Sequence, residues 1–174
     1  MLEKVYSINI HAPIRKVWDE ITRAGSVCRP MYDTVMDGQF RAGSPYRYRS
    51  QSGKHVFTKG TILEIDPPRR MVQTFQFTNL DEKPSLVTWT LEEVPGPSGG
   101  GATMTRVTIV HSQFDGEKTM KGVDGGWPTI LGLYKSVCET GTIPLGKRVR
   151  AWMMSMMMIM IPKSMSASRH PLGS

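Results

Sequence analysis

The chain has 174 residues and a mass of 19.5 kDa, with 39% hydrophobic and 21% charged residues and a mean hydropathy of −0.27. That profile suits one folded domain and excludes a collagen, a coiled coil or a disordered chain. The net charge of +7 is local: residues 1–140 carry 17 basic against 15 acidic side chains, whereas 141–174 hold five basic residues and no acid, so the main domain offers no nucleic-acid-binding face.

In chain order, residues 5–11 place Tyr6, Ile8 and Ile10 on one side at period two, as a strand does. Pro13 opens a helix whose apolar stripe is Val17, Trp18 and Ile21, and Gly25 ends it. A further short turn of helix is expected over 26–31. Period two then returns near 34–40, 45–51, 55–65, 70–78, 85–93 and 103–113. Turn-formers separate these segments: Ala42 to Pro45, Ser52-Gly53, Asp66-Pro67-Pro68, Asn79 to Pro84, and Pro95 to Gly101. Six successive strands with short links predict an antiparallel meander, because parallel pairing needs crossovers of about a dozen residues. A long helix follows Gly125-Gly126, with Trp127, Ile130, Leu131, Tyr134 and Cys138 at helical spacing and Gly141 as its stop. The order predicts an α+β domain in which a curved sheet of about seven strands wraps around the long C-terminal helix, with one or two short helices after the first strand. A sheet bent in this way tends to leave a pocket beneath the helix.

Five collinear blocks carry a family likeness: 12–22 (Ala-Pro-Ile-Arg-Lys-Val-Trp-Asp-Glu-Ile-Thr), 60–72 (Gly-Thr-Ile-Leu-Glu-Ile-Asp-Pro-Pro-Arg-Arg-Met-Val), 87–93, 105–111, and the helix from Gly125 to Gly141. Together they resemble the SRPBCC, or START-like, helix-grip superfamily, and most of all the branch named after the C-terminal domain of the activator of heat-shock protein 90 ATPase. The likeness spans about residues 3–141. It implies a helix-grip domain over 1–141 with a hydrophobic cavity between sheet and C-terminal helix, used in relatives for lipids, polyketides and other apolar molecules and in a few for cyclase chemistry. It supplies no shared catalytic constellation.

The chemical motifs are sparse. Cys28 and Cys138 stand alone, which fits neither a disulfide scaffold nor a zinc site. Gly141 to Lys147 matches the start of a phosphate-binding loop, but Arg148 replaces the hydroxyl that would bind magnesium, and a helix precedes it where a strand should. Gly99-Gly100-Gly101 reads as a hairpin loop. The histidines at 11, 55, 111 and 170 lack metal-ligand spacing, so no metal or other cofactor is expected. The pairs Glu92-Glu93 and Asp81-Glu82 point apart in a strand or turn and read as solvated charges.

By strand parity and helical spacing, the residues expected to line the pocket are Tyr46, Tyr48, Met71, Phe75, Phe77, Val87, Trp89, Leu91, Val107, Ile109, His111, Trp127, Ile130, Leu131 and Tyr134. An aromatic set of this kind fits core packing and a ligand cavity alike. No catalytic set is expected. His111 and Tyr134 qualify for acid–base work only if both face one pocket within hydrogen-bond reach. The reading is a domain that binds a small hydrophobic or amphipathic molecule without catalysis. The alternatives are a polyketide cyclase/aromatase-like or hydrolase-like enzyme and a chaperone-associated interaction module.

Residues 142–174 form a basic extension that contains seven of the thirteen methionines, and its last ten or so residues read as disordered. Its apolar run is too short to span a bilayer. The segment Trp152 to Ile161 is expected to pack on the domain, to form a homodimer contact or to lie on a membrane surface. With no signal peptide in view, the expected location is cytoplasmic, peripheral at a membrane if the tail binds one, with a small apolar molecule as partner and no nucleic acid.

Overall fold

The structure, a computed structural model, describes residues 2–96, 103–144, 146 and 162–172. Strand β1 (Glu3–Ile10) is followed by helix α1 (Ile14–Ile21) and a seven-strand run: β2 (Val27–Cys28), β3 (Thr34–Gly38), β4 (Pro45–Arg49), β5 (Val56–Asp66), β6 (Arg70–Phe77), β7 (Ser85–Pro95) and β8 (Thr103–Ser112). Helix α2 (Glu117–Thr140) comes next. All pairings are antiparallel, in the order β1-β8-β7-β6-β5-β4-β3-β2. The α+β helix-grip architecture expected from the sequence is present, and α2 packs against β1 and α1.

Two differences are instructive. The sheet has eight strands rather than seven, because Val27 and Cys28 pair with β3 in place of the expected helical turn; only Arg29–Met31 forms a 3₁₀ turn. Two residues carry no periodicity, so such a strand is invisible until its partner is known. Helix α2 also begins eight residues before Gly125, and both glycines and Pro128 lie inside it. Its N-terminus is stabilised from a distance: the carboxylate of Glu82, in the β6–β7 connection, accepts the backbone N–H groups of Lys118 and Thr119 at 3.2 and 2.9 Å. A hydrogen bond from the Thr119 side chain, together with these backbone N–H groups and the nearby Lys118 charge, holds the Glu82 carboxyl below its usual range. No local capping residue announces this start, since Gly116 occupies the N-cap. A Cβ there would sit 2.3 Å from Glu82 Oε1.

Strand β5 crosses β6 with a register shift between Ile62 and Glu64. Beside it Tyr46 reaches over Gly60, and its hydroxyl donates to the Thr74 carbonyl at 2.8 Å. A Cβ at Gly60 would lie 2.0 Å from that carbonyl oxygen and 2.8 Å from the Tyr46 ring. Since one contact is backbone, rotamer changes cannot relieve it. Gly60→Ala is expected to lower stability by about 2 kcal/mol in urea unfolding; a wild-type midpoint would show that β5 can move aside.

The hairpin glycines 99–101 and the segment Trp152 to Ile161 lie outside the described residues. Residues 162–172, where the sequence suggests disorder, run along the outer face beside β4 and β5. Met165 is buried, the Ala167 N–H donates to the Lys54 carbonyl at 2.9 Å, and Arg47 Nη1 donates to the His170 carbonyl at 2.6 Å. Among the described residues no helix is long and apolar enough to cross a membrane.

Candidate functional site

The concave face of the sheet and the inner face of α2 meet in one hydrophobic core. Alternation brings Val87, Trp89 and Leu91 of β7, Val107, Ile109 and His111 of β8, Met71 and Phe75 of β6, and Tyr46 and Tyr48 of β4 to the same side. Register puts Met71, Trp89 and Ile109 in one row across three strands. From α2 come Trp127, Ile130, Leu131 and Tyr134. The side chains that the sequence suggests for a pocket are brought together in this core, with Phe77 half-buried at its margin and the others buried. Rings pack edge to face: Trp89 on Trp127 at 5.5 Å between centroids, Trp89 on Tyr134 at 6.2 Å, and Phe75 on Phe77 at 4.9 Å.

Several polar groups of this core fall into separate units. His111 is fully buried. Its Nδ1 accepts the Trp127 indole N–H at 2.9 Å, so its proton sits on Nε2, which donates to Ser85 Oγ at 2.7 Å. Ser85 passes its own proton on to the Phe75 carbonyl at 3.0 Å. Phe114 stacks on the imidazole at 4.6 Å and Phe75 meets it edge-on. Burial depresses the pKa of His111 to about 4, so the ring is neutral at physiological pH. Each ring nitrogen already has its partner.

Tyr134 lies in a different unit, its hydroxyl 3.5 Å from Cys28 Sγ. Burial pushes Tyr134 and Tyr48 well above the ordinary phenol range and raises the Cys28 thiol. These groups are neutral hydrogen-bonding groups at physiological pH. No hydrogen bond joins His111 to Tyr134 among the described residues, so the two candidates for acid–base work are held apart by different partners. Two further polar atoms of the concave face are buried without any partner: Trp89 Nε1 and Thr58 Oγ1. No cluster of three or more metal-ligating side chains occurs among the described residues.

Sequence reasoning misses Ser85 and Thr58, although the period-two alternation that marks Val87 and Trp89 also marks Ser85, and that of β5 marks Thr58. Cys28 and Phe114 carry no such signal, because each is placed by a short irregular stretch. A cleft of about 210 Å³ on the outer face has no sequence signature either. It is lined by Arg47, Lys59, Thr61, Gln76, His170 and Leu172 among others. Asp37 bridges Arg47 and Arg49 beside it, at 3.0 and 2.9 Å.

Residues 11–138 match the sequence profile of the family described as activator of Hsp90 ATPase homolog 1-like protein. No curated protein sequence matches the chain. Among solved structures, CalU16 from Micromonospora echinospora is 19% identical with a TM-score of 0.60, covering 86% of this chain and 83% of that one. The Aha1 dimer from Colwellia psychrerythraea is 17% identical with a TM-score of 0.64, covering 82% and 100%. DynU16, from the dynemicin biosynthetic locus, is 20% identical with a TM-score of 0.63, covering 80% of this chain and 48% of that one. At these identities the likeness establishes the fold.

Proposed function

The chain belongs to the activator of Hsp90 ATPase homolog 1-like family, whose fold suits ligand-binding or cyclase-like roles, and we propose that it binds a small hydrophobic or amphipathic molecule between the sheet and α2 without transforming it. The observation that carries this reading is the pair of buried, unpartnered polar atoms, Trp89 Nε1 and Thr58 Oγ1, on the concave face among mostly apolar and aromatic side chains. Each such atom costs about 1–3 kcal/mol when left unpaired, a cost that a guest with matching polarity removes.

An enzyme of cyclase or hydrolase type is the weaker reading, because the neutral His111 has both its Nε2–H and its Nδ1 lone pair committed to Ser85 and Trp127. A chaperone-type interaction surface has less support still. The large exposed apolar side chains among the described residues are Leu2, Val5, Val27, Leu63 and Leu172, which are spread over β1, β2, β5 and the C-terminal segment instead of forming one patch.

Native mass spectrometry of freshly purified protein tests the proposal. The expected spectrum contains a species heavier than the chain by a few hundred daltons, which denaturation releases. A bare chain mass, together with no binding across a lipid and polyketide panel, would overturn the reading.

A further inference from the structure

We infer that the cleft on the outer face of the sheet, over β4, β5 and β6, binds a small organic carboxylate, its head on Lys59 and Arg47 and its carbon body against Pro45, Pro84, Pro171 and Leu172. The site lies on the other side of the sheet from the core beneath α2, and it stands on different observations from the proposed binding role.

Strand register sets the head site. Directly opposed residues share a face, and one row across the sheet from β3 to β6 reads Asp37, Arg47, Lys59, Gln76. Two cations thus stand side by side, an arrangement that destabilises a sheet when nothing of opposite charge lies between them. Asp37 does not serve Lys59, since it already bridges Arg47 and Arg49 at 3.0 and 2.9 Å. At the other end of the row the Gln76 amide donates to the Glu82 carbonyl at 2.8 Å, but the Glu82 carboxylate is held by the backbone of α2. The half-buried Lys59 therefore has neither an acid nor a hydrogen-bond acceptor for its ammonium among the described residues. Arg47 is the opposite case: its Nε is on Asp37 and its Nη1 on the His170 carbonyl, which fixes the guanidinium and leaves Nη2 to donate.

The walls set the body. The hydrogen bond from Arg47 to the His170 carbonyl holds the chain there, and Pro171 and Leu172 line the cleft together with Pro45 and Pro84. Their side chains offer carbon surface and no donor or acceptor. The cleft measures about 210 Å³. A cavity of roughly 150 Å³ holds a benzene ring, so one ring bearing a carboxylate suits this larger, open space. A cationic guest would meet Arg47, Arg49 and Lys59 against Asp37 alone, and a neutral one would leave Lys59 unpaired. A carboxylate supplies the missing charge through charge-assisted hydrogen bonds, which are stronger than neutral ones.

The test titrates the full chain with benzoate, benzamide and acetate at low salt, following backbone amide and tryptophan indole resonances by ¹⁵N–¹H NMR. Benzoate is expected to bind at least about tenfold more tightly than benzamide, which keeps the ring without the charge, and than acetate, which keeps the charge without the ring. Its shifts should fall on Lys59, Thr61 and Gln76 and spare the indoles of Trp89 and Trp127. Lys59→Gln is expected to weaken benzoate about tenfold with benzamide unchanged, and Lys59→Arg to recover most of that loss. The urea midpoint of Lys59→Gln should be no lower than that of the wild type, since the substitution relieves a like-charge pair. A lower midpoint would show that the ammonium is already paired, and overturns the inference. Equal binding of benzoate and benzamide, or of benzoate to wild type and Lys59→Gln, overturns the carboxylate head site. Acetate matching benzoate overturns the apolar body. Shifts confined to the indoles would put benzoate beneath α2 and overturn the outer-face site, and no benzoate binding at all overturns it while leaving the binding role beneath α2 standing.

Discussion

Trp127→Ala is expected to destabilise the protein by about 4 kcal/mol, because it empties the contact between α2 and the sheet at its centre. The side chain is 2% exposed and packs against Trp89, Phe75 and His111 at centroid distances of 5.5, 5.9 and 6.0 Å. Truncation removes the transfer free energy of a whole indole and leaves a void that the surrounding sheet fills only in part, which costs about 3–5 kcal/mol for an aromatic. It also strips His111 Nδ1 of its donor. Domains are typically stable by about 5–15 kcal/mol, so the variant should retain little margin. Urea unfolding measures the drop. Trp127→Phe keeps most of the packing and loses the N–H, so it should fall between wild type and Trp127→Ala. A cost under about 1 kcal/mol for Trp127→Ala would mean that α2 is not seated on the sheet through this ring.

Acidification is expected to weaken the fold by about 3 kcal/mol between pH 6.5 and pH 4 through His111 alone. Above pH 6.5 the imidazole is neutral in folded and unfolded chains alike, so it contributes no pH dependence. As the pH falls below 6.5 the unfolded chain takes up a proton and the folded chain, whose His111 pKa lies at about 4, does not. Unfolding is then favoured progressively. Below about pH 4 both states are protonated and the loss stops growing. The magnitude follows from about 1.4 kcal/mol for each unit of displacement. Its physical origin is burial, together with an Nδ1 lone pair already taken by Trp127.

Urea midpoints at about pH 7.5, 5.5 and 4 should converge for wild type and His111→Gln as the pH falls, because only the wild type loses the His111 contribution. Glu82 and Glu139, whose carboxyl pKa values are also lowered, add a loss in the same direction at more acidic pH, common to both proteins. Parallel pH curves for the two proteins would refute the assignment.

Much of this molecule is legible in the sequence because its strands bury one face only. Period two along β4 to β8 marks Tyr46, Trp89, Ile109 and their neighbours as inward, and the structure places them on the concave side. The end of α2 is equally readable, since Gly141 adopts φ 73°, a conformation glycine takes without penalty. The start of α2 is not, because its cap is Glu82, more than thirty residues upstream in the chain. The same limit applies to His111. Parity puts it on the concave face, but whether it can exchange protons depends on Trp127 and Ser85, which arrive from other elements.

The sequence by itself determined the α+β class, the meander order, the inward-facing side chains and the separation of the basic tail from a near-neutral domain. Each of these follows from local periodicity, turn chemistry or charge counting along the chain. Only the tertiary structure decided which polar groups of the core are satisfied. Pairing between a helix and distant strands depends on angles and distances of a few ångströms that no spacing in the chain encodes. That distinction separates Trp127, which donates to His111, from Trp89, whose indole N–H has no hydrogen-bond partner among the described residues.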